Sequence, residues 1–475
     1  MIAGAVAAAA ARTESGLQSA RPNIRRLNRM PDVTLAPARN LSGAVRLPGD
    51  KSISHRCALL GALADGPSTL ENYSTGADCQ SSLACMAALG AGVTRGGEAG
   101  AETITIAGQG LAGLRAPAGP LDAGNSGSTI RMLSGILAAQ PFAASIGGDA
   151  SLSRRPMRRI LEPLRQMGAQ VTAAEGDRPP LGFEPLAGRL RAIEYALPVA
   201  SAQVKSAILL AALFADGATT IIEPLPTRDH TELLLRHMGV PLTRKPRGGG
   251  QPGSVITLVG PVEKLAPLGN YRVPGDPSSA AFFLCAAAMF PDADLLVDGV
   301  SLNPTRSVLL DVLARIGAKP GVVAVEESCG ELAGTLHLGG RGAKPLTGTT
   351  IAGAEAVALI DEVPILAVLA TATRDGIEFK DVGELRVKES DRIATIVENL
   401  RAMGATCEES PTGLKVPGQQ KLHGARIATH HDHRIAMAFA VAALLAEGET
   451  VIEHAECADI SFPEFFAHLE RLAER

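Results

Sequence analysis

Two kinds of apolar run alternate along this chain, and each predicts a different helix. In the first kind, apolar residues recur every three to four positions and a glycine follows at once: Leu89-Gly90-Ala91, Met167-Gly168-Ala169, Met238-Gly239-Val240, Ile316-Gly317-Ala318 and Met403-Gly404-Ala405. Segments such as Thr231 to His237 and Ile393 to Ala402 therefore read as amphipathic helices with a glycine stop, and Phe465 to Leu472 supplies a sixth. The second kind is apolar on every side, as in Ala207 to Ala215 and Ala436 to Ala446, with further copies starting at Ala58, Met132, Ala281 and Ile365. A helix without a polar face has to be buried. After it come a breaker and a β-like run: Gly217 then Thr219-Thr220-Ile221-Ile222, and Gly448 then Thr450-Val451-Ile452. The stop glycines lie roughly 70 to 90 residues apart, longer than a solenoid repeat. Six copies of one buried helix, one amphipathic helix and short strands predict an α/β protein of six units.

The halves echo each other. Val273-Pro274-Gly275-Asp276-Pro277-Ser278 repeats the pattern of Leu47-Pro48-Gly49-Asp50-Lys51-Ser52, and three units follow each copy. A chain of 475 residues is also longer than one core usually holds. Two lobes of three repeats are expected, one from residues 49–274 and the other from 33–48 with 275–475, so that Val33 to Leu47 crosses to the C-terminal lobe. Residues 1–32 read as an extension outside the fold, disordered or wrongly started. Met1 to Ala11 is alanine-rich, and Arg12, Arg21, Arg25, Arg26 and Arg29 follow with Glu14 as the only acid. A secretory signal places its charges first; an organelle transit peptide and an upstream start with Met30 as the true one both fit.

A net charge of −4 and no long basic run give no reason to expect nucleic acid, and no apolar stretch is long enough for a membrane span. Seven cysteines without a Cys-x-x-Cys pair predict free thiols in a reducing, cytoplasmic setting, with Cys57, Cys85 and Cys285 as core residues.

The chemistry lies at helix beginnings. Lys51, Ser52 and Arg56 open a helix behind Pro48-Gly49-Asp50, with Ser52 and Arg56 on one face, an arrangement suited to an anion. Asp122 to Thr129 is a glycine-rich loop running into a helix from Ile130 to Ala139 with Arg131 in its first turn, and Gly148 to Pro156 carries Arg154 and Arg155. Ser201-Ala202-Gln203 and Arg228-Asp229-His230 open two more helices. Asp361-Glu362 precedes the run Ile365 to Ala372, and on the residues alone reads as a capping pair. In Leu385 to Arg392, Lys388 and Arg392 are four apart and are expected on one helix beside Glu389. His430-His431-Asp432-His433 invites a zinc reading, but no further His/Cys cluster completes a shell, so no metal is expected.

Leu47 to Arg56 and Leu385 to Arg392 closely resemble the two signatures of the enolpyruvyl transferases, in the EPSP synthase branch, and the resemblance covers about Ala36 to Leu472. It implies two inside-out α/β lobes, each a three-fold repeat of βαβαββ units, with helices inside and sheets outside. It also implies transfer of the enolpyruvyl group of phosphoenolpyruvate to the 5-hydroxyl of shikimate 3-phosphate, with release of phosphate and no cofactor. Carried over residue by residue, the catalytic groups are Lys51, Asp361 and Glu389, with cationic neighbours expected to depress the pKa of Lys51. Shikimate 3-phosphate falls to Lys51, Ser52, Arg56, Ser201, Ala202, Gln203, Arg228, Asp361 and Lys388. Phosphoenolpyruvate, and the inhibitor glyphosate that competes with it in this family, fall to Lys51, Gly127, Arg155, Gln203, Arg392 and Arg434. The implied partners are these two small molecules alone, with a monomer expected. Glu384 stands where some members have Asn, and Ile460 where some have Lys. The alternatives are transfer to UDP-N-acetylglucosamine, whose enzymes carry a reactive cysteine shortly before an Arg-Pro, and a non-catalytic anion-binding homologue. Asp149-Ala150-Ser151 holds no thiol ahead of Arg155-Pro156.

Overall fold

The computed structural model describes residues 32–97 and 102–475, so the expectation for the N-terminal extension lies outside the described residues. The all-round apolar runs form six helices: Lys51–Leu63, Gly127–Leu137, Ala202–Ala212, Pro277–Met289, Val363–Ala372 and His433–Ala443. Ile53 to Leu63 and the whole of Pro277–Met289 are buried. The glycine-stopped runs form the amphipathic helices Ala77–Ala88, Arg158–Gln166, His230–His237, Val308–Arg315 and Arg392–Ala402, and Phe465–Leu472 is the sixth. All five stop glycines have φ between +85° and +103°. In each case the residue after the glycine donates its N–H five residues back, as from Ala91 to Met86 (3.0 Å) and from Ala405 to Leu400 (2.9 Å). That is the Schellman closure, which needs a left-handed residue where it turns.

Six sheets complete the six units. Each joins a parallel pairing to antiparallel ones; in four the parallel strands are linked by a crossover helix, and in two they come from distant parts of the chain. Three sheets draw on strands between Pro67 and Arg272, closed when Asn270–Arg272 pairs in parallel with Pro67–Glu71. The other three take in the early strands: Asn40–Arg46 lies parallel to Asp294–Ser301, and Val33–Leu35 antiparallel to Thr450–Ile452. The buried side chains accordingly form two cores, one running from Ile53 to Val273 and one from Leu35 to Leu47 and Ala280 to Leu472. The pattern reading placed Gly217 as a breaker before its strand, whereas the strand runs Ala215–Glu223 through it, because the glycine's φ of +104° bends the strand without ending it.

The two repeated Pro-Gly-Asp segments lie side by side between the cores. Gly49 bridges Gly275, Asp50 N–H donates to Pro274 O (2.6 Å), and Asp276 N–H donates to Pro48 O (3.1 Å). A Cβ on Gly49 would come within 1.9 Å of Asn72 O, so only glycine permits this approach. Asp50 and Asp276 then cap the helices they precede, and Arg306 lies 3.4 Å from the first and 3.0 Å from the second. The seven cysteines are free, and Cys57, Cys85 and Cys285 are buried as expected. Among the described residues no helix is long and apolar enough to cross a membrane.

Candidate active site

The N-terminal ends of all six buried helices open into one cleft of about 910 Å³ between the cores. This follows from the repeat: five of the apolar helices carry polar residues in the first turn after the cap, and the sixth, Val363–Ala372, has Asp361 just ahead of it. Five ends are capped by Ser or Asp side chains, namely Asp50, Ser126, Ser201, Asp276 and Asp432. The positive ends of six helix dipoles therefore face one volume, and free backbone N–H groups with them. Such a volume favours anions.

Every site residue named from the sequence lines this cleft: Lys51, Ser52, Arg56, Gly127, Arg155, Ser201, Ala202, Gln203, Arg228, Asp361, Lys388, Glu389, Arg392 and Arg434. Asp361 is central. Its carboxylate takes Arg228 at 2.8 Å, Arg392 at 3.5 Å, Lys388 at 3.7 Å and Arg434 at 3.9 Å. Burial pushes its pKa up, but the four cations prevail and hold it well below the usual carboxylate range. Glu389 lies 2.6 Å from Arg392 and 3.5 Å from Arg155. Against the same burial, those arginines and then Lys51 hold it low as well. Two of these pairs, Arg228 with Asp361 and Arg155 with Glu389, join residues on opposite sides of the cleft.

Arg56 and Arg131 are held by hydroxyl and amide oxygens. Arg56 is buried and donates to Thr231 Oγ1 (2.6 Å), Ser206 Oγ (2.7 Å) and Ser52 O (2.8 Å). Burial brings its pKa down to about 10, which leaves it charged at neutral pH. Arg131 donates to Gln203 Oε1 (2.8 Å), and Gln203 in turn donates to Ser128 Oγ (2.9 Å), so the amide links two helix ends. Arg392 is anchored through Nε to Asp432 (2.7 Å), the cap of the next buried helix. His433, buried beside these groups, is kept neutral, first by burial and then by the charges of Lys51 and Arg434.

Three sequence expectations need correction. Lys388 and Arg392 do not share a helix: Asp391 caps the helix Arg392–Ala402, its side chain accepting from Ala394 N (3.1 Å), so Lys388 to Ser390 remain a loop. The capping reading of Asp361-Glu362 also fails, since Glu362 makes no side-chain cap and Asp361 is taken up by cations. The pKa of Lys51 is raised: burial and Arg434 pull it down, but Asp78, 2.8 Å from Nζ, and then Glu389 outweigh them. Asp78 is the residue the sequence reading missed. In the first turn of Ala77–Ala88 it looks like an ordinary dipole partner, and nothing local marks it for Lys51.

The family model for EPSP synthase (3-phosphoshikimate 1-carboxyvinyltransferase) matches residues 35–469. The chain belongs to the EPSP synthase family. It is 54% identical over 443 residues to the 3-phosphoshikimate 1-carboxyvinyltransferase of Solibacter usitatus, covering 93% of this chain and 100% of that one. To the enzyme of the same name from Koribacter versatilis it is 52% identical, with 94% and 100% covered. The EPSP synthase structure from Acinetobacter baumannii superposes with a TM-score of 0.80 at 39% identity, over 93% of this chain and 98% of that one. The two-lobe α/β fold of EPSP synthases is thus the fold of this chain.

Proposed function

We propose that this chain transfers the enolpyruvyl group of phosphoenolpyruvate to the 5-hydroxyl of shikimate 3-phosphate, as a monomer in the cytoplasm, with lobes formed by 49–274 and by 33–48 with 275–475. The observation that carries this reading is the ionised Asp361–Glu389 pair set among cations where six helix N-termini meet. Guanidinium forks suit the phosphates and carboxylates of both substrates. In the first step the 5-hydroxyl oxygen bonds to C2 of phosphoenolpyruvate while a proton adds to its C3 methylene. In the second, C2 loses phosphate and the C3 methyl loses a proton, which restores the double bond. Asp361 accepts the hydroxyl proton, and Glu389 and Lys51 handle the proton at C3. The cations that now hold Asp361 and Glu389 low are the ones the incoming anions engage. Substrate binding therefore raises the basicity of both carboxylates when proton transfer needs it.

No cysteine lines the cleft among the described residues, which disfavours the nucleotide-sugar alternative. The deciding assay measures phosphate release from phosphoenolpyruvate with either shikimate 3-phosphate or UDP-N-acetylglucosamine. Release is expected with the first alone and unchanged by EDTA; release with the second, or binding of both substrates without turnover, overturns the assignment.

A further inference from the structure

The histidine-rich motif divides in the fold. Asp432 and His433 turn inward, to Arg392 and the cleft, and His430 pairs with Glu398 (2.9 Å). His431 instead faces His454, more than twenty residues on, with ring centroids 4.3 Å apart. His454 Nδ1 lies 3.4 Å from Glu456 Oε1, while Oε2 of the same carboxylate is buried without a hydrogen-bond partner. One ligand atom from each of His431, His454 and Glu456 lies within 4.8 Å of the others. Among the described residues no other such group of three forms.

We infer that His431, His454 and Glu456 form a divalent-metal site of the zinc type, outside the catalytic cleft. Two imidazoles and one carboxylate are a recognised zinc set that leaves the fourth position to water. Bonds of about 2.0–2.2 Å place tetrahedral ligand atoms roughly 3.3 Å apart, and the exposed rings of His431 and His454 can close the remaining gap by rotation. Nearby positive charge does not oppose the ion, because Arg426 is already matched by Asp32 and Glu453, each at 2.8 Å. A bound ion fastens the turn Thr429–Asp432 to the segment His454–Glu456, and so steadies the turn from which Asp432 holds Arg392.

The test is calorimetric titration of zinc chloride into EDTA-stripped, dialysed full-length protein, repeated for His454→Ala, Glu456→Gln and His430→Ala. One zinc per chain is expected. Loss of one ligand should weaken binding about ten-fold or more, since even outer-shell changes cost that much, whereas His430→Ala should bind as wild type. Zinc should also raise the melting midpoint of wild type but not of His454→Ala, with metal-free melting curves alike in both. No saturable site, or equal zinc affinity in His454→Ala and wild type, overturns the assignment. Phosphate release in EDTA tests the proposed reaction separately.

Discussion

At the scale of single residues, the charges in the cleft are balanced against one another, and substitution unbalances them. Asp361→Ala leaves Arg228, Arg392, Lys388 and Arg434 facing each other without their shared carboxylate. Lys51→Met leaves Asp78 buried without its cation. Each should lower kcat by roughly 100-fold or more, the size of a lost acid–base or electrostatic group, with the helical circular dichroism spectrum retained. Near-normal kcat in either variant removes that residue from the mechanism. Gly127 poses a finer test. A methyl there comes 2.6 Å from Arg131 Nη1 and 3.3 Å from Arg155 Nη1, the far ends of long side chains that can shift, at the expense of the Arg131 bond to Gln203 and the Arg155 pairing with Glu389. Gly127→Ala should therefore fold, but it displaces two guanidinium groups that line the cleft. Wild type is expected to be sensitive to glyphosate. The longer inhibitor is crowded more than phosphoenolpyruvate, and overpacking of about 1–3 kcal/mol corresponds to roughly a ten- to hundred-fold rise in inhibition constant. Equal inhibition constants in the two proteins would place Gly127 away from the inhibitor.

At the scale of elements, the five Schellman ends make a clean experiment, because the strain of replacing glycine can be separated from steric clash. At Gly239 φ is +87° and an added Cβ meets nothing within 4 Å. Gly239→Ala should then show backbone strain alone, about 1–2 kcal/mol less stability by denaturant titration, with kcat and both KM values unchanged. A larger loss, or any change in kinetics, means that this helix end does more than turn the chain. The loop Lys388–Ser390 has a contrasting logic. The cap at Asp391 delays the helix, and the freed segment lets Lys388 reach Asp361 while Glu389 faces Arg155 and Arg392. One continuous helix could not direct these two neighbours to those partners, since adjacent helical positions point about 100° apart.

At the scale of the whole molecule, the cleft lies between two cores joined by the paired Pro-Gly-Asp segments, by ion pairs and by hydrogen bonds. Anions that engage Arg228 and Arg155 from one side and Arg392 and Arg434 from the other stabilise the closed arrangement by differential contacts. Adding shikimate 3-phosphate should reduce the radius of gyration in small-angle scattering, and an unchanged curve counts against closure. Acid acts on the same region. His55 and His433 are held well below the ordinary imidazole range, chiefly by burial. Below about pH 6.5, the unperturbed imidazole value, the unfolded chain takes up protons there that the native protein refuses. Stability therefore falls with pH. The carboxylates Asp361 and Glu389 contribute above the ordinary carboxylate range and lose that contribution only as pH drops through their lower folded values. The melting midpoint should thus begin to fall between pH 6.5 and 5, before those carboxylates titrate; a flat midpoint down to pH 5 contradicts this.

Periodicity and punctuation alone determine six α/β units, their buried and amphipathic helices and the glycine ends, because each depends on interactions within a few residues of the chain. The helix starts suited to anions were legible for the same reason, since caps, glycines and basic residues sit together in Lys51–Arg56 and Gly127–Arg131. The resemblance of two motifs then named the residues that line the cleft. What the sequence could not supply is which charge faces which. Asp78 sets the direction of the Lys51 pKa, four cations claim Asp361, and His454 and Glu456 come up to His431, all through contacts between residues distant in sequence. Coulomb energies and burial depend on distances of a few ångströms through the folded protein, and only the packing of two cores around one cleft sets those distances.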